Sequence, residues 1–425
     1  MTALKRTILQ SFAKLPKTLL RKFVIRKLTE TGTEMPLEAV DAFTDHLLSG
    51  QRSVFFWQDG TEGELKELRL VFTEEDGREL DAAITKALEI VPEAVQNATA
   101  QAAKLMFRAL CERWTIEGIA QHSDAEGFRD RMQERWGEGL GYLRMLLTCC
   151  REAGQEALTR YNKSKSNKYT FRRWVSVRLH ARACQVSDEI ICLMENGFAD
   201  GAMARWRTLH ELSVVAAMIT NGDEDLAERY ILHDAVEVKR QADEYDATQL
   251  LLGNTPIKKR QRAAIERRYQ TVMDRFGPAF THPYGWAAKH LNHKKPTFKE
   301  VQVAAGSSGM NSYYKLASFN VHAGARSLFF NLSSIGIQDV ILAGKSNAGL
   351  AEPGDRMAQT LLLITSLCIG ISSNFDRIAE LNCLIHIRDA AGLALRRAER
   401  RLVRQERARQ KLAAEQQVKR NSMSK

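Results

Sequence analysis

Two stretches of this chain place chemistry-bearing side chains at helical spacing. In MARWRTLHELSVVAAMI (203–219), Arg207 and Glu211 are four residues apart and share a helix face. In NSYYKLASFNVHAGARSL (311–328), Tyr314, Ser318 and His322 fall at i, i+4 and i+8, a polar stripe with Arg326 one turn on and Gly324 beside His322 leaving room for a close neighbour. If the two faces meet in a bundle, the Arg–Glu pair sets the protonation of its neighbours. His322 is then a general acid/base near neutral pH. Ser318 is a nucleophile or a phosphate ligand. The competing reading is a polar clamp that fixes helix register without chemistry. The stripes offer one carboxylate, whereas metal-dependent nuclease sites gather several. The set therefore suits metal-free RNA cleavage through the substrate's 2′-hydroxyl, with His322 moving protons and Arg207 stabilising charge.

Other sites are weaker. His282, His290 and His293 cluster, but Lys289, Lys294 and Lys295 beside them would repel a cation, and no cysteine or carboxylate completes a tetrahedral set. No Gly-x-Gly-x-x-Gly, phosphate loop or G-x-S-x-G elbow occurs. The expectation is no metal and no cofactor.

The order Arg207-Thr208-Leu209-His210-Glu211, Tyr284-Gly285-Trp286, then Tyr314-x-x-x-Ser318-x-x-x-His322-Ala-Gly resembles a prokaryotic helical family, domain-of-unknown-function family 5677, over about residues 170–390. That resemblance implies a helical fold and a prokaryotic setting more than any chemistry. A second resemblance is carried by Arg205-x-x-x-x-His210, the spacing of HEPN (higher eukaryotes and prokaryotes nucleotide-binding) ribonucleases. It implies a metal-free RNA-cleaving cleft between subunits. Trp206 departs from the usual pattern, in which a polar residue follows the arginine.

The elements that must hold these residues read as helices. The chain has 425 residues, 44% hydrophobic and only 8 prolines, enough for two or three domains with buried cores. The fold class is all-α, with a helical N-terminal region, a C-terminal multi-helix bundle and at most a minor hairpin near 53–72. Helical periodicity runs from Glu79, with breaks, to about Leu158. Further helices are expected over 169–196, 200–220, 223–245 and 258–276, and again from Ser312, Asp355 and Asp376. Residues 278–306 read as irregular. The domain expectation is a basic amphipathic segment over 1–28, interrupted at Pro16, an N-terminal helical region over 29–160, a bundle over 169–395 and a basic tail over 396–425. The apolar run 357–373 carries Gln359, Thr360 and Thr365 and reads as a buried bundle helix rather than a membrane span.

The net charge of +11 is unevenly placed. Segments 1–28, 160–178, 256–299 and 396–425 carry +8, +7, +9 and +8, which leaves the remainder at −21. Such segmentation suits RNA or another polyanion. Peripheral membrane contact of 1–28 and homo-oligomerisation both stay open. The seven cysteines show no C-x-x-C spacing and no secretory signal precedes them, so a reducing cytoplasm is expected. The leading function is a bacterial cytoplasmic protein of defence or toxin type, a metal-independent ribonuclease centred on Arg207, Glu211, Tyr314, Ser318 and His322. The alternative is a non-enzymatic helical scaffold that binds nucleic acid or a partner protein.

Overall fold

Apolar side chains recurring every three or four residues demand helices that bury one face, and the computed structural model supplies them. It describes residues 13–50, 54–57, 69–163, 170–322, 325–329, 332–334, 342–370 and 375–423. The helices are α1 (Leu15–Glu30), α2 (Leu37–Leu48), α3 (Glu74–Lys163), α4 (Thr170–Glu195), α5 (Ala199–Asn221), α6 (Glu224–Leu232), α7 (Asp234–Thr248) and α8 (Lys259–Phe276). Then follow α9 (Phe298–Ala304), α10 (Asn311–Phe319), α11 (Arg326–Phe329), α12 (Ala351–Ile369) and α13 (Phe375–Met423). Among the described residues there is no strand, so the fold is all-α. Residues 54–57 and 69–72 of the expected hairpin are not strand, and 53 and 58–68 lie outside the described residues, as do 1–12 and Gly324.

The chain divides into two units, Met1–His122 and Ser123–Lys425. The division falls inside α3, so residues 123–160, expected in the N-terminal region, belong to the second unit. In the first unit, α1 packs on α2 around Val24, Leu28 and Val40. Pro16 occupies the first turn of α1, where its missing N–H costs nothing, directly after a turn at Lys14. Four of the five cations of α1 are paired within the first unit. Lys17 meets Asp45 at 2.6 Å, Arg26 meets Glu79 at 2.6 Å, Lys27 meets Asp76 at 2.7 Å, and Arg21 bonds Asp41.

The second unit is built around α5. Its buried positions, including Ala202, Met203, Trp206, Leu209, His210 and Ser213, cover most of its circumference. A helix apolar nearly all round must be enclosed, and α4, α12, α10 and α9 enclose it. Trp136 and Leu143 of α3, Ile190 and Met194 of α4, Leu361 and Ile364 of α12, and Leu395 of α13 complete the core. The turn between α4 and α5 is made at Gly197, whose φ of +78° places it in the left-handed region. The apolar run read as a bundle helix is α12, with Met357, Leu361 and Ile364 buried. Among the described residues no helix is long and apolar enough to cross a membrane.

The basic stretch 256–299 is partly neutralised in the fold, by ion pairs of four of its cations. Arg268 reaches Asp234 at 3.0 Å, Arg275 reaches Glu228 at 2.7 Å, Lys289 reaches Asp225 at 3.0 Å, and Arg262 reaches Asp246 at 3.3 Å. Part of the charge segmentation thus records helix-to-helix complementarity between α8 and the acidic α6 and α7.

Trp206 is fully buried, and its indole N–H donates to Thr360 Oγ1 at 2.9 Å. Trp206→Ala should therefore cost the second unit about 3–5 kcal/mol, whereas Trp206→Phe, which keeps most of the ring packing, should cost about 1–2 kcal/mol. Chemical denaturation followed by far-UV circular dichroism checks both. Equal and small losses would show that α5 is not the packing centre.

Candidate functional site

The polar face of α5 meets α10 through Arg207. Its Nε donates to Glu211 Oε1 at 3.1 Å, its Nη2 donates to Tyr314 Oη at 2.9 Å, and its Nη1 lies 3.2 Å from His322 Nε2. Tyr314 in turn donates to Glu211 Oε1 at 2.8 Å, and the guanidinium lies 4.8 Å from the centroid of the Tyr314 ring. The three helical positions thus close one ring of hydrogen bonds, and the turn residue His322 hangs from it by its contact with Arg207. Because α10 ends at Phe319, His322 stands in the turn beyond it rather than on the helix, and it is exposed.

Arginine has only N–H donors. The contact to His322 therefore requires Nε2 to accept, which puts the imidazole proton on Nδ1. Arg207 side-chain exposure is 22% and that of Glu211 is 38%. Burial works against the Arg207 charge, but the Tyr314 bond and the Glu211 charge outweigh it and leave its pKa raised. Burial, with the hydrogen bond to Glu211, pushes the Tyr314 hydroxyl up to about 12, so it stays protonated. Ser318 does not join the ring. Its hydroxyl donates to the Tyr314 carbonyl at 2.8 Å, the bond a serine one turn on commonly makes in a helix.

Behind the ring stands an aromatic wall. Phe298 and Tyr314 have centroids 5.0 Å apart, Tyr284 lies 6.1 Å from Phe298, and His210 stacks on Trp206 at 5.3 Å. Burial raises the Tyr284 pKa, and the Glu211 charge adds to it. Gly285 sits where a Cβ would come within 2.5 Å of the Phe280 carbonyl oxygen, so the Tyr284-Gly285-Trp286 turn needs glycine at its centre. Gln302 and Phe298 were not anticipated from sequence, because 278–306 read as irregular. The signal for α9 was present: Thr297-Phe298-Lys299-Glu300 is a capping box, with Thr297 Oγ1 and Glu300 exchanging hydrogen bonds with each other's backbone.

Arg205 and His210 are not brought together within the chain. Five residues apart on a helix, they point about 140° apart. Arg205 pairs with Glu189 on α4, while His210 is 2% exposed with its Nε2 3.0 Å from the Gln302 amide nitrogen. The histidines at 282–293 also disperse: the His282 carbonyl accepts from His233, His290 faces Asp223 at 3.8 Å and His293 faces Glu300 at 3.2 Å. Among the described residues no group of three or more His, Cys, Asp and Glu is arranged to hold a metal ion.

All five candidate residues fall within one stretch of the chain that matches a known family. Residues 173–336 match a family of unknown function (DUF5677). The match supports the resemblance read from the motif, but it ends before α12 and α13, short of the expected limit near 390. No curated protein and no solved structure matches the chain.

His210 makes the site's environment sensitive to acid. Burial lowers its pKa from 6.5 to about 4. The unfolded chain therefore binds the proton first as pH falls, and the stability this neutral imidazole contributes is intact above pH 6.5 and lost on descent toward 4. The loss should approach about 3 kcal/mol. Denaturation midpoints of wild type and His210→Asn, measured from pH 7 to pH 4, should converge as pH falls. Parallel profiles would mean that His210 is not held neutral.

Proposed function

We propose that the second unit is a metal-independent ribonuclease of a prokaryotic cytoplasm, of defence or toxin type, with Arg207, Glu211, Tyr314 and His322 at its centre. The observation that carries this reading is one guanidinium joined to a carboxylate, a tyrosine hydroxyl and an exposed imidazole. Three of the five guanidinium N–H groups are engaged, and two remain for phosphate oxygens. A substrate phosphate takes over Arg207 Nη1 and releases His322 Nε2 as a base. Nε2 accepts the 2′-hydroxyl proton, O2′ bonds to phosphorus, and the bond to O5′ breaks. Tyr314 gives its proton to O5′, and the proton shed by His322 restores it through solvent. Glu211 holds both Arg207 and Tyr314 in place. Ser318, bonded to its own helix, takes no part. The defence or toxin setting rests on the resemblances alone.

A specific observation favours the second reading, a non-enzymatic scaffold that binds nucleic acid. On α13, Arg397, Arg400, Arg404, Arg407 and Lys411 recur at spacings of three and four, so they share one exposed face opposite buried Ala398 and Leu402. None of the five makes an ion pair among the described residues. A row of this kind, spanning roughly 21 Å, tracks a phosphate backbone. Self-association is part of either reading, supported by the exposed Leu88, Leu105, Phe107, Trp114 and Ile116 of α3.

Incubation of the purified protein with RNA and with DNA, each with and without EDTA, decides between them. The ribonuclease reading expects RNA cut to 2′,3′-cyclic phosphate ends in EDTA, DNA intact, and a loss of about a hundredfold or more in His322→Ala. Loss of cleavage in EDTA, or cleavage of DNA, removes this mechanism. RNA retention without cleavage, abolished when the five α13 cations are changed to glutamine, establishes the scaffold.

A further inference from the structure

A second basic site lies at the far end of α5. Arg207 and Thr220 are thirteen residues apart on that helix, about 20 Å along its axis, so the two places are distinct. Where α3 ends, α4 begins and α5 and α12 stop, the second unit encloses an open cavity of about 680 Å³. Arg160, Tyr161, Arg172, Arg173, Ser176 and Thr220 line it, and among the described residues its lining includes no carboxylate.

The charges around this cavity are arranged for an anion held by side chains. Glu224 accepts from the backbone N–H groups of Phe171 and Arg172 at 2.8 and 3.3 Å, so the amino end of α4 is already capped. Arg172 donates to the Thr220 carbonyl and closes one wall. Arg160 stands 3.8 Å from Glu156, a turn back on its own helix, while Arg173 is exposed on α4. Guanidinium groups match phosphate oxygens in forked pairs.

The rest of the lining asks for more than a bare ion. A phosphate fills a small part of such a volume, which falls in the range of small-molecule sites. Ala157, Val177 and Leu367 supply an apolar wall, and Tyr161 supplies a ring face. The carboxyl ends of α5 and α12 bring acceptor-rich backbone to the opposite wall. The Thr220 hydroxyl is buried, with no hydrogen-bond partner among the described residues. A buried hydroxyl in that state calls for a polar partner, which a ligand's hydroxyl or a water can supply. A ligand with a phosphate at one end, a flat ring and hydrogen-bonding hydroxyls meets all of these surfaces.

We propose that this cavity binds a nucleoside monophosphate, with Arg160 and Arg173 on the phosphate and Tyr161 against the base. The site stands apart from the ribonuclease reading and survives its failure. Isothermal titration of the full chain with AMP, GMP, CMP and UMP, with adenosine and with inorganic phosphate, tests it. At least one nucleotide should bind tenfold or more tighter than either adenosine or phosphate, and Arg160→Gln and Arg173→Gln should each weaken it tenfold or more with an unchanged circular dichroism spectrum. Absence of nucleotide binding overturns the proposal. So does phosphate binding as tightly as the nucleotides, or affinity indifferent to both substitutions.

Discussion

A guanidinium that is largely withdrawn from water must find partners for its charge and its N–H groups. Arg207 stands under that constraint on α5, and most of the candidate site follows from it. Glu211, one turn away, supplies the charge. Tyr314 supplies a hydroxyl and a ring face, and so ties α10 to α5. His322 supplies a lone pair from the turn beyond α10 and is thereby held in one tautomer at the surface. Without Arg207, nothing on α5 would bring the imidazole and the tyrosine hydroxyl to one place.

The same constraint explains why the ring is polar on one side and aromatic on the other. α5 is enclosed by α4 and α12 on its apolar faces, so its polar face has only α9 and α10 to meet. Those short elements present Phe298, Gln302 and Tyr314. His210, which faces them from inside, is neutral and bonded to Gln302. It therefore packs like an aromatic residue and leaves His322 as the imidazole open to solvent.

Much of this was legible in the sequence, because helical periodicity is a local signal. The all-α class, the limits of α4, α5 and α8 within a residue or two, and the sharing of one helix face by Arg207 and Glu211 follow from spacing; that this face meets Tyr314 depends on packing. Other features depend on neighbours. Residues 223–245 read as one helix, but the chain breaks at His233 into α6 and α7, where the buried imidazole reaches the His282 carbonyl. Ser318 shares the stripe of Tyr314 and His322, yet its hydroxyl turns to its own backbone. Charge misled most. Lys17, Arg26, Arg268 and Arg275, counted as free in sequence, are matched by acids of other elements, while Arg397, Arg400, Arg404, Arg407 and Lys411 of α13 make no ion pair among the described residues, and only packing distinguishes the two cases.

The claim at the centre of this account is that Arg207 fixes His322 by donating to its Nε2. Nitrogen-15 chemical shifts of the His322 ring, in histidine-labelled protein above the imidazole's titration, report the tautomer directly. The account predicts a protonated Nδ1 and an unprotonated Nε2 in the wild type, with the preference lost in Arg207→Ala. A wild-type His322 carrying its proton on Nε2, or a tautomer unchanged by that substitution, would contradict it.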